Sequence, residues 1–276
     1  MCIKLERHLT IETNDITTVE LLSTDTGLSK QRIKHAMKCG AVWLTHNEHT
    51  QRLRRASKKL LSGDTLHLYY NEDILSTTPP IAQLIADERD YSVWYKPYGM
   101  YSQGSKWGDH CTINRWAEQH LQPERPAFIV HRLDRAATGL LLIAHKKQTA
   151  AALAKLFQEH KLDKTYRVIV HGCFPEKPQA MDNDIDGRSA RSTATLIKYN
   201  HEQQRSLLTV TIDSGRKHQI RRHLSELGYP VVGDRLYGHS DETIDLQLTA
   251  FSLAFVCPVS GEQKKFQLNE KLSPHL

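Results

Sequence analysis

The chain is poor in cysteine and has no long apolar run, and these absences exclude several classes of protein. Its five cysteines in 276 residues are odd in number and form no C-x-x-C pair, which argues against a disulfide framework and a zinc site. No stretch reaches the roughly eighteen apolar residues that a membrane span needs. The first eight residues also lack the apolar core of a secretory signal. We therefore expect a cytoplasmic protein with no metal and no membrane partner.

The composition, 39% apolar and 25% charged residues, is that of a globular protein, and the length allows one large domain or one large and one small domain. The net charge of +6 is unevenly distributed. One acidic residue, Glu48, and nine basic residues lie between positions 29 and 59: Lys30, Arg32, Lys34, Lys38, Arg52, Arg54, Arg55, Lys58 and Lys59. This segment has a charge of +8 and the remainder −2. Such a local positive field favours a polyanion, hence a nucleic acid, over a role in solubility alone.

The basic segment belongs to a predicted small module, residues 16–72, that follows an N-terminal segment, 1–15. Two short helices are predicted, and in the second, Ser29 is the N-cap and Gly40 lies at the C-cap. Half-buried strands are predicted for "AVWLTHN" and "TLHLYY". The module resembles the S4 RNA-binding domain, while a DNA-reading helix-turn-helix, the alternative, fits the paired strands less well.

A proline-containing linker is predicted at residues 73–88, before a second domain at 89–276. "YSVWYK", "LLLIAH", "KTYRVIVHG", "TATLIKYN" and "RSLLTVTID" are predicted strands, and "KQTAAALAKLFQEH" and "KHQIRRHLSELG" are predicted helices. Because the strands and helices intermix without a regular βαβ alternation, the pattern predicts an α+β fold with a mixed, largely antiparallel sheet.

Three polar motifs lie at the edges of these elements, where a rigid sheet commonly supports functional loops. They are Lys96-Pro97-x-Gly99, His131-Arg132-Leu133-Asp134, and the stretch from Ser214 to Gly238. Each motif is weak alone, since turns and basic helix starts are common. We interpret His131 and His218 as hydrogen-bonded supports for their loops, and the alternative for Lys217 and Arg222 is that they are solvated helix charges.

Together, the motifs resemble those of the RluA family of pseudouridine synthases, from about residue 89 to the C-terminus. "YKPYGM" is similar to the family's first motif, "HRLDRAATGLLL" to its H-R-L-D motif and "KTYRVIVHG" to its K-x-Y motif. "SGRKHQIRRHL" and "GDRLYG" are similar to its last two conserved stretches. The chain departs from the pattern at Ser102-Gln103, where the family commonly has His-Pro.

The resemblance implies an isomerase that converts uridine in structured RNA to pseudouridine without a cofactor. It implies that Asp134 is the catalytic carboxylate, that Tyr166 lies beside the target base, and that Arg221 pairs with Asp134. Arg132 matches the arginine that helps to displace the target nucleotide. We expect RNA contacts also from Lys96, Arg135, Arg216, Lys217 and, in the N-terminal module, from Lys30, Arg32, Lys34, Arg54 and Arg55.

Two other functions remain open from the sequence. One is a non-catalytic RNA-binding or ribosome-assembly factor on the same fold, although such a protein has no need for a carboxylate among phosphate-binding residues. The other is a glycosidic hydrolase, but no second carboxylate is evident near the motif. Ribosomal RNA of the large subunit is the favoured substrate, transfer RNA the other candidate, and a monomer the expected state.

Overall fold

The computed structural model describes residues 2–14, 16–239 and 243–276, and its contacts divide the chain into two units. The first comprises Met1–Pro79 and Gln103–Trp116, and the second Pro80–Ser102 and Ala117–Leu276. No helix among the described residues is long and apolar enough to span a membrane.

The N-terminal unit is a four-stranded antiparallel sheet with helices on it, in the strand order β1-β4-β2-β3. Its elements are β1 (Lys4–Thr10), α1 (Thr18–Thr26), α2 (Lys30–Lys38), β2 (Val42–His46), β3 (His49–Arg52), β4 (Thr65–Asn71) and α3 (Glu72–Leu75). The Ser29 side chain caps α2 by accepting a hydrogen bond from the Arg32 amide, as predicted. Ile33, Ala36 and Met37 form the buried face of α2, so its basic residues lie outward.

The observed unit is larger than the predicted module of residues 16–72. Residues 4–10, predicted as part of a separate segment, pair along their whole length with β4. The boundary was missed because the "KLERHLT" strand is mostly exposed and shows little apolar alternation. The unit also includes residues 103–116, which the prediction assigned to the second domain. Assignment of this unit to the S4 family stays a prediction.

The second unit is a mixed α+β domain, which confirms the predicted fold class. Its elements are β5 (Gln83–Asp87), β6 (Tyr91–Lys96), α4 (Ile113–His120, beginning in the first unit), β7 (Phe128–Ile129), β8 (Thr138–Ala144), α5 (Lys147–Gln158), β9 (Asp163–His171), β10 (Gln179–Met181), β11 (Ser192–Asn200), β12 (Arg205–Ile212), α6 (Gln219–Glu226), β13 (Leu248–Val256), β14 (Gln263–Gln267) and a 3₁₀ turn, Glu270–Leu272. Strand β5 contradicts the linker predicted for residues 73–88, because it pairs with β6.

The large sheet runs in the order β10-β11-β12-β9-β13-β8-β6-β5, with β14 against β13 and β7 against β8. Among the described strand pairs, β8 and β13 are parallel and the others antiparallel. Strand β8 is central and buried from Leu140 to Ala144. The loop before β8 and the ends of β12 and β13 therefore have a rigid support.

Candidate active site

The loop before β8 places Asp134 at the edge of a pocket in the second unit. Strands β9, β12 and β13 and the start of α6 supply the other walls. The pocket is lined by Arg132, Leu133, Asp134, Ala137, Tyr166, Ile212, Gly215, Arg216, His218, Gln219, Ile220 and Leu248. An anionic group, cationic groups and apolar side chains thus surround one space, as in a binding pocket with an apolar lining and a few placed polar groups.

Hydrogen bonds from the first motif and from Ser102, which follows it, hold the backbone on both sides of Asp134. The Ser102 hydroxyl donates to the Leu133 carbonyl oxygen at 2.7 Å and accepts from the Leu133 amide at 3.0 Å. The Arg135 carbonyl oxygen accepts from the Gly99 amide at 3.0 Å and from Lys96 Nζ at 3.3 Å. Ser102, which stands where the resemblance has a different residue, is therefore part of the support of the loop.

Lys96 is buried, which contradicts its prediction as an RNA contact. Its side chain is fully shielded from solvent, and Nζ donates to the carbonyl oxygens of Pro97, Met100 and Arg135. Burial lowers the pKa of Lys96 to about 7, although the charge of Asp134 favours the protonated form. An ammonium group with three backbone acceptors and no exposure cannot reach a phosphate, so Lys96 holds the loop instead.

Arg221, on α6, lies between two carboxylates. Its Nε and Nη2 atoms each donate to Asp234 at 2.7 Å, while Nη1 reaches Oδ2 of Asp134 at 3.4 Å. The predicted contact with Asp134 is present, but the shorter, bidentate pair is with Asp234. Burial raises the pKa of Asp234, but hydrogen bonds from Arg221 and from the amides of Leu236 and Tyr237 lower it more, so that its pKa is lowered overall.

Tyr166, on β9, lines the same pocket as Asp134. Strand β9 lies between β12 and β13, where Tyr166 is opposite Val210 and Ala250. Burial and then the charge of Asp134 raise the pKa of the Tyr166 phenol, so it is protonated at neutral pH. The site thus offers a flat ring with a neutral hydroxyl next to a carboxylate.

The two histidines interpreted as supports differ in position. His131 accepts a hydrogen bond from the Leu142 amide at 2.9 Å and stacks on Phe157, with ring centroids 4.2 Å apart. Burial lowers the pKa of His131 to about 3, so it stays neutral inside the domain. His218 lines the pocket instead, with Nε2 3.7 Å from Oδ1 of Asp134.

The predicted RNA contacts divide into several groups. Arg132 and Arg216 line the pocket, and Lys217 is exposed next to them in sequence. Arg135 is exposed too, with its guanidinium group over the ring of Tyr101. The remaining five, Lys30, Arg32, Lys34, Arg54 and Arg55, belong to the other unit and not to the residues that line this pocket.

Sequence reasoning missed two residues of the site, Asp234 and Tyr237. Both lie in "GDRLYG", a stretch that was recognised as part of the pattern without a role for its residues. The guanidinium carbon of Arg221 lies over the ring of Tyr237, 5.2 Å from the centroid of that ring. An acid thirteen residues after an arginine has no obvious partner in sequence, and only the fold brings Asp234 to Arg221.

Comparisons with known proteins show the family of this chain. A family model described as RNA pseudouridylate synthase matches residues 90–226. A protein of Aquifex aeolicus named an uncharacterized RNA pseudouridine synthase is 30% identical over 88% of this chain and 86% of its own length. The chain belongs to the RNA pseudouridine synthase family. It is therefore an isomerase, and the resemblance inferred from the motifs is confirmed.

Two further comparisons extend to other members of this family. Ribosomal large subunit pseudouridine synthase D of Zymomonas mobilis is 27% identical over 89% of this chain and 87% of its own length. The structure of human RNA pseudouridylate synthase domain containing 1 covers 72% of this chain and 92% of its own, with a TM-score of 0.59 and 21% identity. That structural likeness shows a shared pseudouridine synthase fold.

Proposed function

We propose that this pseudouridine synthase isomerises specific uridines in structured RNA of the large ribosomal subunit, with Asp134 as the reacting carboxylate. The observation that carries the proposal is the position of Asp134. It is partly exposed in the pocket that Tyr166 also lines, and it lies within reach of the buried guanidinium group of Arg221. The enzyme acts as a monomer in the cytoplasm and needs no cofactor.

The reaction rearranges bonds within one nucleotide and leaves its composition unchanged. The N1–C1′ bond breaks, the uracil turns, C5 bonds to C1′, and the proton of C5 leaves while N1 gains a proton. Asp134 adds to the ring or assists at the sugar carbon and then departs. Arg221 orients the carboxylate, and the ring of Tyr166 stacks on the base while it turns.

The target nucleotide must leave its stack before Asp134 can reach it, which costs about a few kcal/mol. Arg132 and Arg216, at the pocket, offset this cost by contacts with the flanking phosphates, together with Arg135 and Lys217. The choice of ribosomal RNA is supported by the large-subunit synthase among the relatives, which aligns over 89% of this chain.

The proposal is tested by release of tritium from RNA labelled at C5 of uridine. The substrates are unmodified transcripts of 23S ribosomal RNA and of pooled transfer RNAs, incubated with the wild type, Asp134→Asn and Asp184→Asn. Asp184 is an exposed carboxylate outside the residues that line the pocket, so its variant is the matched control. We expect release from the ribosomal transcript with the wild type and the control, and a loss of about 10⁴-fold or more with Asp134→Asn.

Other outcomes of this experiment would favour an alternative substrate, reacting residue or function. Release from the transfer RNAs alone changes the substrate class and keeps the mechanism. Full activity of Asp134→Asn rejects its role as the reacting carboxylate. Tight RNA binding with no release by the wild type favours the non-catalytic RNA-binding factor.

A further inference from the structure

The carboxylate of Asp134 faces a different cation-forming side chain at each of its two oxygens. Arg221 Nη1 lies 3.4 Å from Oδ2, and His218 Nε2 lies 3.7 Å from Oδ1. The side chain of His218 is 15% exposed and lines the pocket, so it is shielded from bulk water beside Asp134. A carboxylate held at one oxygen can still rotate, whereas contacts at both oxygens define its plane.

The backbone at His218 is in a left-handed conformation that few residues other than glycine adopt. Its φ of 56° and ψ of 27° are left-handed, immediately before α6. The turn is held in this form by Gln219, whose Oε1 accepts from the Ser214 hydroxyl at 2.7 Å and from the Arg216 amide at 3.0 Å. Such strain is kept where the surrounding structure defines it, and it is concentrated at functional sites. Glycine adopts this backbone without steric cost, so the presence of a histidine points to a use for the imidazole.

A second contact fixes the ring of His218 from the other side. Its Nδ1 lies 3.0 Å from the Tyr237 hydroxyl, and the two rings meet edge to face. When the Tyr237 hydroxyl donates to Nδ1, the proton of a neutral imidazole is on Nε2, which faces Asp134. Burial lowers the pKa of His218, which favours this neutral form.

We propose that His218 is a positioning residue that orients Asp134 for reaction, with its Nε2–H directed at Oδ1 and its tautomer set by Tyr237. The inference rests on the proposed role of Asp134. Arg221 and His218 together hold the carboxylate so that one lone pair points into the pocket toward the base. The contact with His218 shortens to a hydrogen bond when RNA fills the pocket and excludes water.

Three substitutions separate this role from a purely structural one. His218→Gln keeps an N–H donor near the position of Nε2, whereas His218→Asn has a shorter side chain, and His218→Gly has none. Single-turnover tritium release gives the maximal rate and the half-saturating enzyme concentration for each variant. We expect the rate to fall about 10- to 100-fold in His218→Asn and His218→Gly, and His218→Gln to retain most of it. The half-saturating concentration should change little.

A backbone role predicts the opposite order, because asparagine and glycine adopt left-handed conformations more readily than glutamine. His160 is a matched control, since it is exposed and also left-handed, with φ of 55°. The same three substitutions at His160, followed by thermal unfolding, measure the backbone effect without a pocket. The proposal is overturned if the reaction rates of the position-218 variants follow their unfolding temperatures and not the presence of an N–H donor.

Tyr237→Phe provides an independent measurement, because it removes the hydroxyl and keeps the ring beside Arg221. We expect a smaller rate loss than in His218→Asn, and no further loss when Tyr237→Phe is combined with His218→Gln, since glutamine has no tautomer to set. Additive losses reject the role of Tyr237. Inactivity of Asp134→Asn together with full activity of all His218 variants rejects only this inference, whereas an active Asp134→Asn rejects the proposed function.

Discussion

Lys96 and Arg132 are two cations near Asp134 in entirely different environments. Lys96 is buried with three carbonyl acceptors, and Arg132 is exposed at the pocket. A buried ammonium group contributes to the shape of the loop, while an exposed guanidinium group can neutralise a phosphate. Their effects on stability and on RNA affinity should therefore be separable.

We expect Arg132→Gln to weaken RNA binding and to reduce the slope of log affinity against log salt concentration by about 1. Lys96→Met should leave the slope unchanged and lower the free energy of unfolding by about 1–3 kcal/mol, because backbone acceptors lose their donor. Binding to the 23S transcript is measured by titration at several salt concentrations in an Asp134→Asn background, which prevents turnover. Urea unfolding measures stability.

Each variant serves as the control for the other, since both replace a basic side chain near Asp134, one buried and one exposed. A reduced salt slope in folded Lys96→Met would contradict the burial of Nζ. An unchanged slope in Arg132→Gln would remove Arg132 from the phosphate contacts.

The residues of the site were predictable to different degrees. Asp134, Tyr166 and Arg132 were found because each lies in a stretch with several matching neighbours, and the fold brings all three to one pocket. The sequence does not predict the burial of Lys96, because a lysine before proline usually lies at a surface turn. The sequence predicts only the pairing of Arg221 with Asp134. The bidentate pair with Asp234 was missed because a loop after α6 brings Asp234 back to that helix.

At the scale of elements, Gly139 determines how closely β8 approaches β13. It lies in β8 with φ of 115°, and a Cβ atom there would be 2.3 Å from the Ala250 carbonyl oxygen and 2.5 Å from its amide nitrogen. The absence of a side chain allows β8 to pair closely with β13. Next to it, the hydroxyl groups of Thr138 and Thr249 are 2.6 Å apart.

Gly139→Ala should therefore destabilise the domain by about 3 kcal/mol or more, because strand pairing and backbone conformation both suffer. Gly187→Ala is the matched control, since Gly187 also has a positive φ, 69°, but no atom within 4 Å of its virtual Cβ. We expect the control to lose about 1 kcal/mol. Urea unfolding of both variants measures the difference, and equal losses would show that the approach of Ala250 has little effect.

The strands that were predicted share a recognisable signal, and those that were missed do not. Strands β4, β8, β9 and β12 show either alternation or a continuous apolar run, which the pattern predicts directly. Strand β5 is an edge strand with mostly exposed residues, and its pairing with β6 is interrupted by a bulge. Because its sequence follows two prolines, it resembles a linker, although it pairs with the large sheet.

At the scale of the whole molecule, the basic charge of the N-terminal unit is partly neutralised within that unit. Arg54 pairs with Asp109 at 2.5 Å, and Asp109 lies in residues 103–116, which belong to this unit. Arg32 pairs with Glu72 at 3.0 Å, and Lys30 lies 3.8 Å from Glu20. The formal charge of +8 counted from sequence therefore overstates what this segment offers to RNA.

Lys34 and Arg55 are exposed, and the described residues include no ion pair for either. Among the five cations predicted in this unit, they are the best placed to contact phosphates. We expect the double variant Lys34→Gln, Arg55→Gln to raise the half-saturating concentration for the full-length transcript and to reduce the salt slope by up to about 2. The maximal rate of tritium release should stay unchanged, because the reacting groups belong to the other unit.

The control is Lys147→Gln, Lys177→Gln, which removes two exposed charges from the second unit at positions outside the residues that line the pocket. Both double variants lower the net charge by the same amount, so a nonspecific field effect would weaken binding equally. A larger effect of the Lys34 and Arg55 variant assigns RNA affinity to this surface of the N-terminal unit. Equal effects would leave that unit without a specific role in RNA affinity, since only the shared loss of charge would then explain both.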